Sequence, residues 1–233
     1  MSRAMINDAA LQFWLDGQES TAKAPNENLG RELMELFVLG VGRYTEDDVK
    51  ASARALTGYQ VEKSSGAITF NAKRYDSKPV TILGTTQVFT GETLSDFLVA
   101  RDDNATFIAE RLWYRFISST EDMPKSFSAK SALANRDIAA AVAAMANDPA
   151  IRDSKNDLVK APVEWFIAAC RALELTPSNL KTPGQLFNYL DKLGQVPFNP
   201  PNVGGWPAGG AWLSSATAQY RIAFAGWLIK QSD

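Results

Sequence analysis

The sequence contains no histidine. That absence removes the commonest general base at neutral pH, the usual nitrogen ligand of zinc and the usual partner of a nucleophilic serine. Any acid–base chemistry falls to Asp, Glu, Lys or Tyr. Cysteine occurs once, at Cys170, which excludes an internal disulfide and every multi-cysteine metal site and leaves the redox compartment open. Lying next to Ile167, Ala168 and Ala169, with no histidine to activate it, Cys170 reads as a small core residue. A basic surplus is missing as well. The 24 Lys and Arg stand against 26 Asp and Glu, a net charge of −2, and electrostatic binding to nucleic acid needs an excess of the opposite sign. No run approaches the roughly 18 apolar residues of a membrane span, and the stretch from Met1 to Gly17 lacks the basic start and apolar core of a signal peptide. An exported location therefore requires a signal removed upstream of this chain, and the compartment stays open. The glycines follow neither GxGxxG nor GxxxxGK spacing, so no phosphate-cradling loop is present, and no repeat period stands out.

What the chain has is enough apolar material for a core: 233 residues, 45% hydrophobic and 21% charged, an ordinary globular composition at a length that allows one to two domains, and the helical pattern that follows reads as one α-rich domain over residues 1–233. Asp8 caps a first short helix through Leu15, stopped by Asp16-Gly17. The densest cluster of carboxylates and arginines follows, from Asn26 to Tyr59. At 100° per residue, Leu29, Gly30, Leu33, Met34, Leu36 and Phe37 share one arc and face a core. The opposite arc carries Glu27, Asn28, Arg31, Glu32 and Glu35, with Glu27, Arg31 and Glu35 at successive i, i+4 positions. The plain reading is a solvated helix face, and the sharper one is a buried ion-pair network or an acidic site.

Gly40-Val41-Gly42 suits the end of that helix, and Thr45 with Asp48 forms a capping box for a second one reaching Leu56. Its apolar stripe is Val49, Ala53 and Leu56. Arg54 points away from the stripe, toward Glu32 or Glu35 of the preceding helix, so Glu27, Arg31, Glu35 and Arg54 are the candidate network. Tyr59 to Val61 and Ala67 to Asn71 flank Lys63-Ser64-Ser65-Gly66 and predict a β-hairpin.

Beyond Gly91 the pattern is helical. Thr93 caps a helix to Val99. Asp103 or Asn104 starts another with Phe107, Ile108, Leu112, Trp113 and Phe116 to bury, its flank bearing Glu110, Arg111 and Arg115. An alanine-rich helix runs from Ser126 or Ser128 to Ala146, and others span about 157–175, 182–193 and 215–229. In the last, Ile222, Phe224, Ala225 and Trp227 are the residues to bury. Between them lies Val196 to Ser215, with four prolines, four glycines and two tryptophans, which cannot be regular helix or central strand. It reads as an ordered loop in which Asn202, Trp206, Trp212 and Ser214 offer a surface for a flat or sugar-like ligand; the plainer alternative is that the two indoles plug the core beneath.

Three stretches, NENLGRELMELFVLGVGRYTEDDVKASARALTGY, then LVKAPVEWFIAACRAL, then PPNVGGWPAGGAWLSSAT, resemble in order the motifs of the bacterial domain-of-unknown-function 1800 family. The resemblance implies a mostly helical fold of bacterial origin, corresponding to the later part of that family's domain and so truncated relative to it. It implies no activity. Relatives usually carry a His-Asp pair before a lysine and a Leu-Gly, whereas this chain reads Arg74-Tyr75-Asp76-Ser77-Lys78 and then Ile82-Leu83-Gly84. Tyr75 stands where that histidine would be, which leaves any role of the pair to Asp76.

The expected fold is mainly α, a multi-helix orthogonal array of seven to nine helices with one small β-hairpin. Two functions are open. The first is a non-catalytic binding or accessory module whose Pro/Gly/Trp loop and charged helix face engage a partner protein or a glycan. The second is a carboxylate-based hydrolase-like enzyme, with or without a metal, using Glu32, Glu35 and Asp76 with Glu27 nearby and Arg31 or Arg54 as electrostatic partner. No metal-ligand set is assigned and the cofactor is unknown. An unpaired, buried carboxylate beside a cavity would favour the enzyme.

Overall fold

Eleven α-helices and two small antiparallel hairpins form among residues 1–202 and 205–232, the residues described in the computed structural model. The fold is mainly α, as the sequence implies, with a second hairpin in addition to the expected one. The chain divides into two compact units. One comprises Met1–Arg111 with Phe127–Met145, and the other comprises Leu112–Ser126 with the chain from Ala146 onward.

The first unit begins with α1 (Ser2–Ile6) and α2 (Ala9–Trp14), the latter capped by Asp8, which accepts from the Leu11 N–H. α3 (Asn28–Glu32) continues without a break into a π-helical turn, Leu33–Val38. The wider turn carries an extra residue, so a 100° wheel loses register past Leu33. Leu36, expected in the core arc, is 51% exposed, while Val38 and Leu39 are buried instead. Gly40 ends the element at φ +88°, its N–H reaching back to the Met34 carbonyl. A side chain there would also meet the Phe107 ring at 2.7 Å.

α4 (Glu46–Ala55) starts at the expected capping box. The Asp48 N–H donates to Thr45 Oγ1, and the Thr45 N–H donates back to Asp48 Oδ2. α3 and α4 approach closely at Gly30, where an added Cβ would lie 2.4 Å from Ser52 Oγ. β1 (Tyr59–Val61) pairs with β2 (Ile68–Phe70), Tyr59 opposite Phe70. The further hairpin joins β3 (Val80–Ile82) to β4 (Thr85–Gln87) through Leu83-Gly84, both at positive φ. Leucine rarely takes that conformation, which hid the turn in the sequence. It is held by the Leu83 N–H donating to Asp48 Oδ1 at 2.6 Å.

α5 (Gly91–Val99) is capped by Thr90, with Thr93 reciprocating. After it come α6 (Asp102–Phe116), α7 (Ala129–Ala134) and α8 (Ile138–Asn147). The single alanine-rich helix expected here is two, because Arg136 turns left-handed at φ +59° and Asp137 recaps the chain by accepting from the Ala140 N–H. The core of this unit gathers Ile6, Leu33, Met34, Leu39, Leu56, Ile82, Phe89, Leu94 and Leu98.

In the second unit α9 (Pro162–Ala172) starts at its proline rather than at residue 157, since the residue before a proline is driven to extended backbone. α10 (Gly184–Lys192) and α11 (Ser215–Ser232) complete the core of Phe166, Cys170, Leu180, Leu190, Leu193, Phe224, Trp227 and Leu228. Phe224 stacks on Tyr189 at 4.6 Å and on Phe166 at 5.5 Å between ring centroids. Ile222 was expected to be buried and is 74% exposed, because it falls opposite the arc shared by Phe224, Trp227 and Leu228. Cys170 is buried, and burial pushes its thiol pKa up.

Candidate functional site

The charged face of α3 resolves into separate pairs. Arg31 donates from its two terminal nitrogens to the two carboxylate oxygens of Glu46, each at 2.7 Å, and also to Glu27 at 3.3 Å. Glu27 is the i−4 neighbour that spacing offers. Glu46 comes from the first turn of α4 and was not among the expected residues. Hydrogen bonding to the Glu46 carboxylate raises the Arg31 pKa further, against its partial burial.

Glu35, in the π-helical turn, accepts a short hydrogen bond from the Tyr44 hydroxyl. Burial first, then Glu35, pushes the Tyr44 phenol up to about 12. Tyr44 was also missed. It sits in the loop between α3 and α4, and only the fold of that loop returns its ring to Glu35.

Glu32 differs from its neighbours. It is half-buried, and among the described residues its side chain makes no hydrogen bond or ion pair. Burial, then the nearby Glu35, hold its carboxyl above the usual range, while Arg31 works in the opposite direction.

Arg54 reaches Asp76 rather than Glu32 or Glu35. Its Nε donates to Asp76 Oδ2 at 2.6 Å, and the Asp76 side chain is only 10% exposed. Asp76 Oδ1 accepts from the Lys78 N–H, and its own N–H donates to Thr57 Oγ1, whose hydroxyl donates to the Arg54 carbonyl. The arginine hydrogen bond, against burial, holds the Asp76 carboxyl below its ordinary value. Tyr75 donates to the Phe89 carbonyl at 2.9 Å and packs against the Phe70 ring. It fastens the first hairpin's flank to the chain ahead of α5.

In the second unit the loop from Val196 to Ser215 includes Val203 and Gly204, which lie outside the described residues. Trp212 is 3% exposed and lies against Gly194. Ser214 caps α11 in a reciprocal pair with Thr217. Asn202 is exposed, and Trp206 is half-buried with its indole N–H enclosed and without a hydrogen-bond partner among the described residues. Phe198 is fully exposed, at φ +64°. The structure thus turns one of the two tryptophans inward, commits the serine to capping, and exposes a phenylalanine that spacing did not single out. An aromatic between Pro197 and Asn199 in a proline-rich loop was the available signal.

Among the described residues no group of three or more Cys, Asp or Glu is placed to hold a metal ion. No helix there is long and apolar enough to cross a membrane. No curated protein and no solved structure matches the chain. The family model described as "Protein of unknown function (DUF1800)" matches residues 1–232, and the chain belongs to that family.

Proposed function

We propose that the chain is a non-catalytic binding or accessory module, and that the loop from Val196 to Ser215 is where it holds a partner protein. The observation that supports this reading most is the contrast inside the loop. Trp212 is buried and anchors the backbone, while Phe198 and Leu213 present bare apolar side chains to solvent. Anchored loops with exposed apolar groups are typical contact surfaces. Bare rings and aliphatic groups suit the side chains of another protein better than the hydroxyls of a glycan, which remains the other occupant. The charged residues of α3, its π-helical turn and α4 fit an accessory role, since Arg31, Glu35 and Arg54 each have an intramolecular partner.

The test compares the wild-type chain with Phe198→Ala/Leu213→Ser and with Glu32→Gln in affinity capture from cells of the source organism. A protein retained by wild type and Glu32→Gln but lost by the loop variant supports the reading. Equal retention by all three sinks it. Glycan-array binding that depends on Phe198 would assign the loop to the glycan.

A second reading has one specific observation behind it. Glu32 is an unpartnered, half-buried carboxyl held above its usual range and lies next to a π-helical turn, a feature common at functional sites. In a hydrolase-like enzyme it would be the general acid, with Glu35 holding Tyr44 and Asp76 holding Arg54. Any hydrolysis found with a panel of ester, glycoside and phosphoester substrates should then be lost in Glu32→Gln and kept in Phe198→Ala.

A further inference from the structure

A groove of about 380 Å³ in the second unit is lined by Gln185, Asn188, Tyr189 and Lys192 of α10 and Tyr220 of α11. The four α10 residues fall within an arc of about 100°, set beside the arc of Leu186, Leu190 and Leu193 that faces the core. The helix therefore turns a polar shoulder toward α11 while its apolar side is packed. Among the described residues none of the five lining side chains forms a hydrogen bond or an ion pair. Two carboxamides, two phenols and one ammonium are thus free to meet a ligand.

The donor set narrows the ligand class. Carboxamides pair with adjacent hydroxyls as donor and acceptor at once, which matches a polyol. Tyr189 is fixed by stacking on Phe224, so its hydroxyl is presented at low entropic cost. Lys192 is the only charged residue in the lining, with no carboxylate among the five, so the groove favours one negative charge over a positive one. A nucleotide phosphate would call for a glycine-rich nest or arginines, and neither lines the groove. We propose that this groove binds a short acidic saccharide, with the carboxylate of a uronic-acid residue at Lys192 and ring hydroxyls at Gln185 and Asn188. The site shares no residue with the loop of the proposed function, so either can fail without the other.

The test is a titration of the 233-residue chain with trigalacturonate, followed by NMR of the side-chain amides. The neutral trisaccharide cellotriose and acetate run in parallel at the same millimolar concentrations. Trigalacturonate should shift the Gln185 and Asn188 amide resonances, and Lys192→Met should weaken its binding about tenfold, as loss of one charge-assisted contact implies. Asn188→Ala should also weaken it. Both substitutions lie on the exposed side of α10, and an unchanged far-UV spectrum shows that they fold. No shift with trigalacturonate overturns the proposal. So do equal binding of cellotriose, equal effects of acetate, or full affinity in Lys192→Met.

Discussion

Glu32 and Arg31 are adjacent in the chain and have opposite circumstances. Arg31 meets two carboxylates in a setting open to water, so the pairs fix geometry more than they add stability, each contributing between about 0 and 1 kcal/mol. Glu32 carries a half-buried charge with no compensating contact. Its folded pKa is raised, so the native state holds the proton more tightly than the unfolded chain does. The resulting stability is fully present below the ordinary carboxylate value and is lost as pH rises through the raised one. Glu32→Gln should therefore raise the melting temperature at pH 7, by about 1–3 °C for a chain this size, and leave it unchanged near pH 3.5. A scan by calorimetry at both pH values decides it, and a drop at pH 7 would show that Glu32 makes a contact worth more than its burial costs. At this scale the i, i+4 spacing was enough to find Glu27 beside Arg31. Glu46 and Tyr44 were out of reach of spacing because their approach depends on how the loop after Gly40 folds back.

At the scale of elements, Asp48 does more than close a capping box. One oxygen accepts from the N–H and hydroxyl of Thr45, and the other from the backbone of Leu83 in the β3–β4 turn. Burial would raise its pKa, yet the Leu83 and Thr45 hydrogen bonds win and hold it below its ordinary value. Asp48→Ala should cost about 1–3 kcal/mol, combining the lost half of a capping box with unpaired donors on Thr45 and Leu83, measured by urea denaturation at pH 7. The stabilisation by Asp48 is present above the ordinary aspartate value and lost as pH falls through the depressed folded one. The gap between wild type and variant should thus close in strong acid. Half of this was legible in advance, since Thr45 and Asp48 stand three apart. The link to Leu83 was not, because it spans 35 positions and depends on a leucine in a left-handed turn. The π-helical turn is a similar case. A regular wheel cannot represent its extra residue, and so it put Leu36 on the wrong side.

At the scale of the whole molecule, each unit has its own cluster of buried side chains. Phe224 is the hub of the second, touching Phe166, Tyr189, Trp165 and Trp227. Phe224→Ala should cost about 3–5 kcal/mol. Because the Phe224 cluster is built from residues of the second unit, amide hydrogen exchange should quicken in α9, α10 and α11 while α4 and α5 keep their protection. Equal loss of protection in both units would show that they unfold as one.

The sequence by itself determined the helical class, the Thr45–Asp48 capping box, the first hairpin and the membership of the family. Each rests on local spacing or on motifs read along the chain, and local backbone preferences are strong where caps and periodicity agree. Only the tertiary structure decided which charges meet, which helices break and which aromatics of the loop turn inward. Those outcomes depend on contacts between residues far apart in the chain, such as Arg54 with Asp76 and Leu83 with Asp48, and no local preference encodes them. The free polar shoulder of α10 emerged in the same way: its amides, its one phenol and its lysine are ordinary in sequence and form one groove with Tyr220 only where α11 packs beside them.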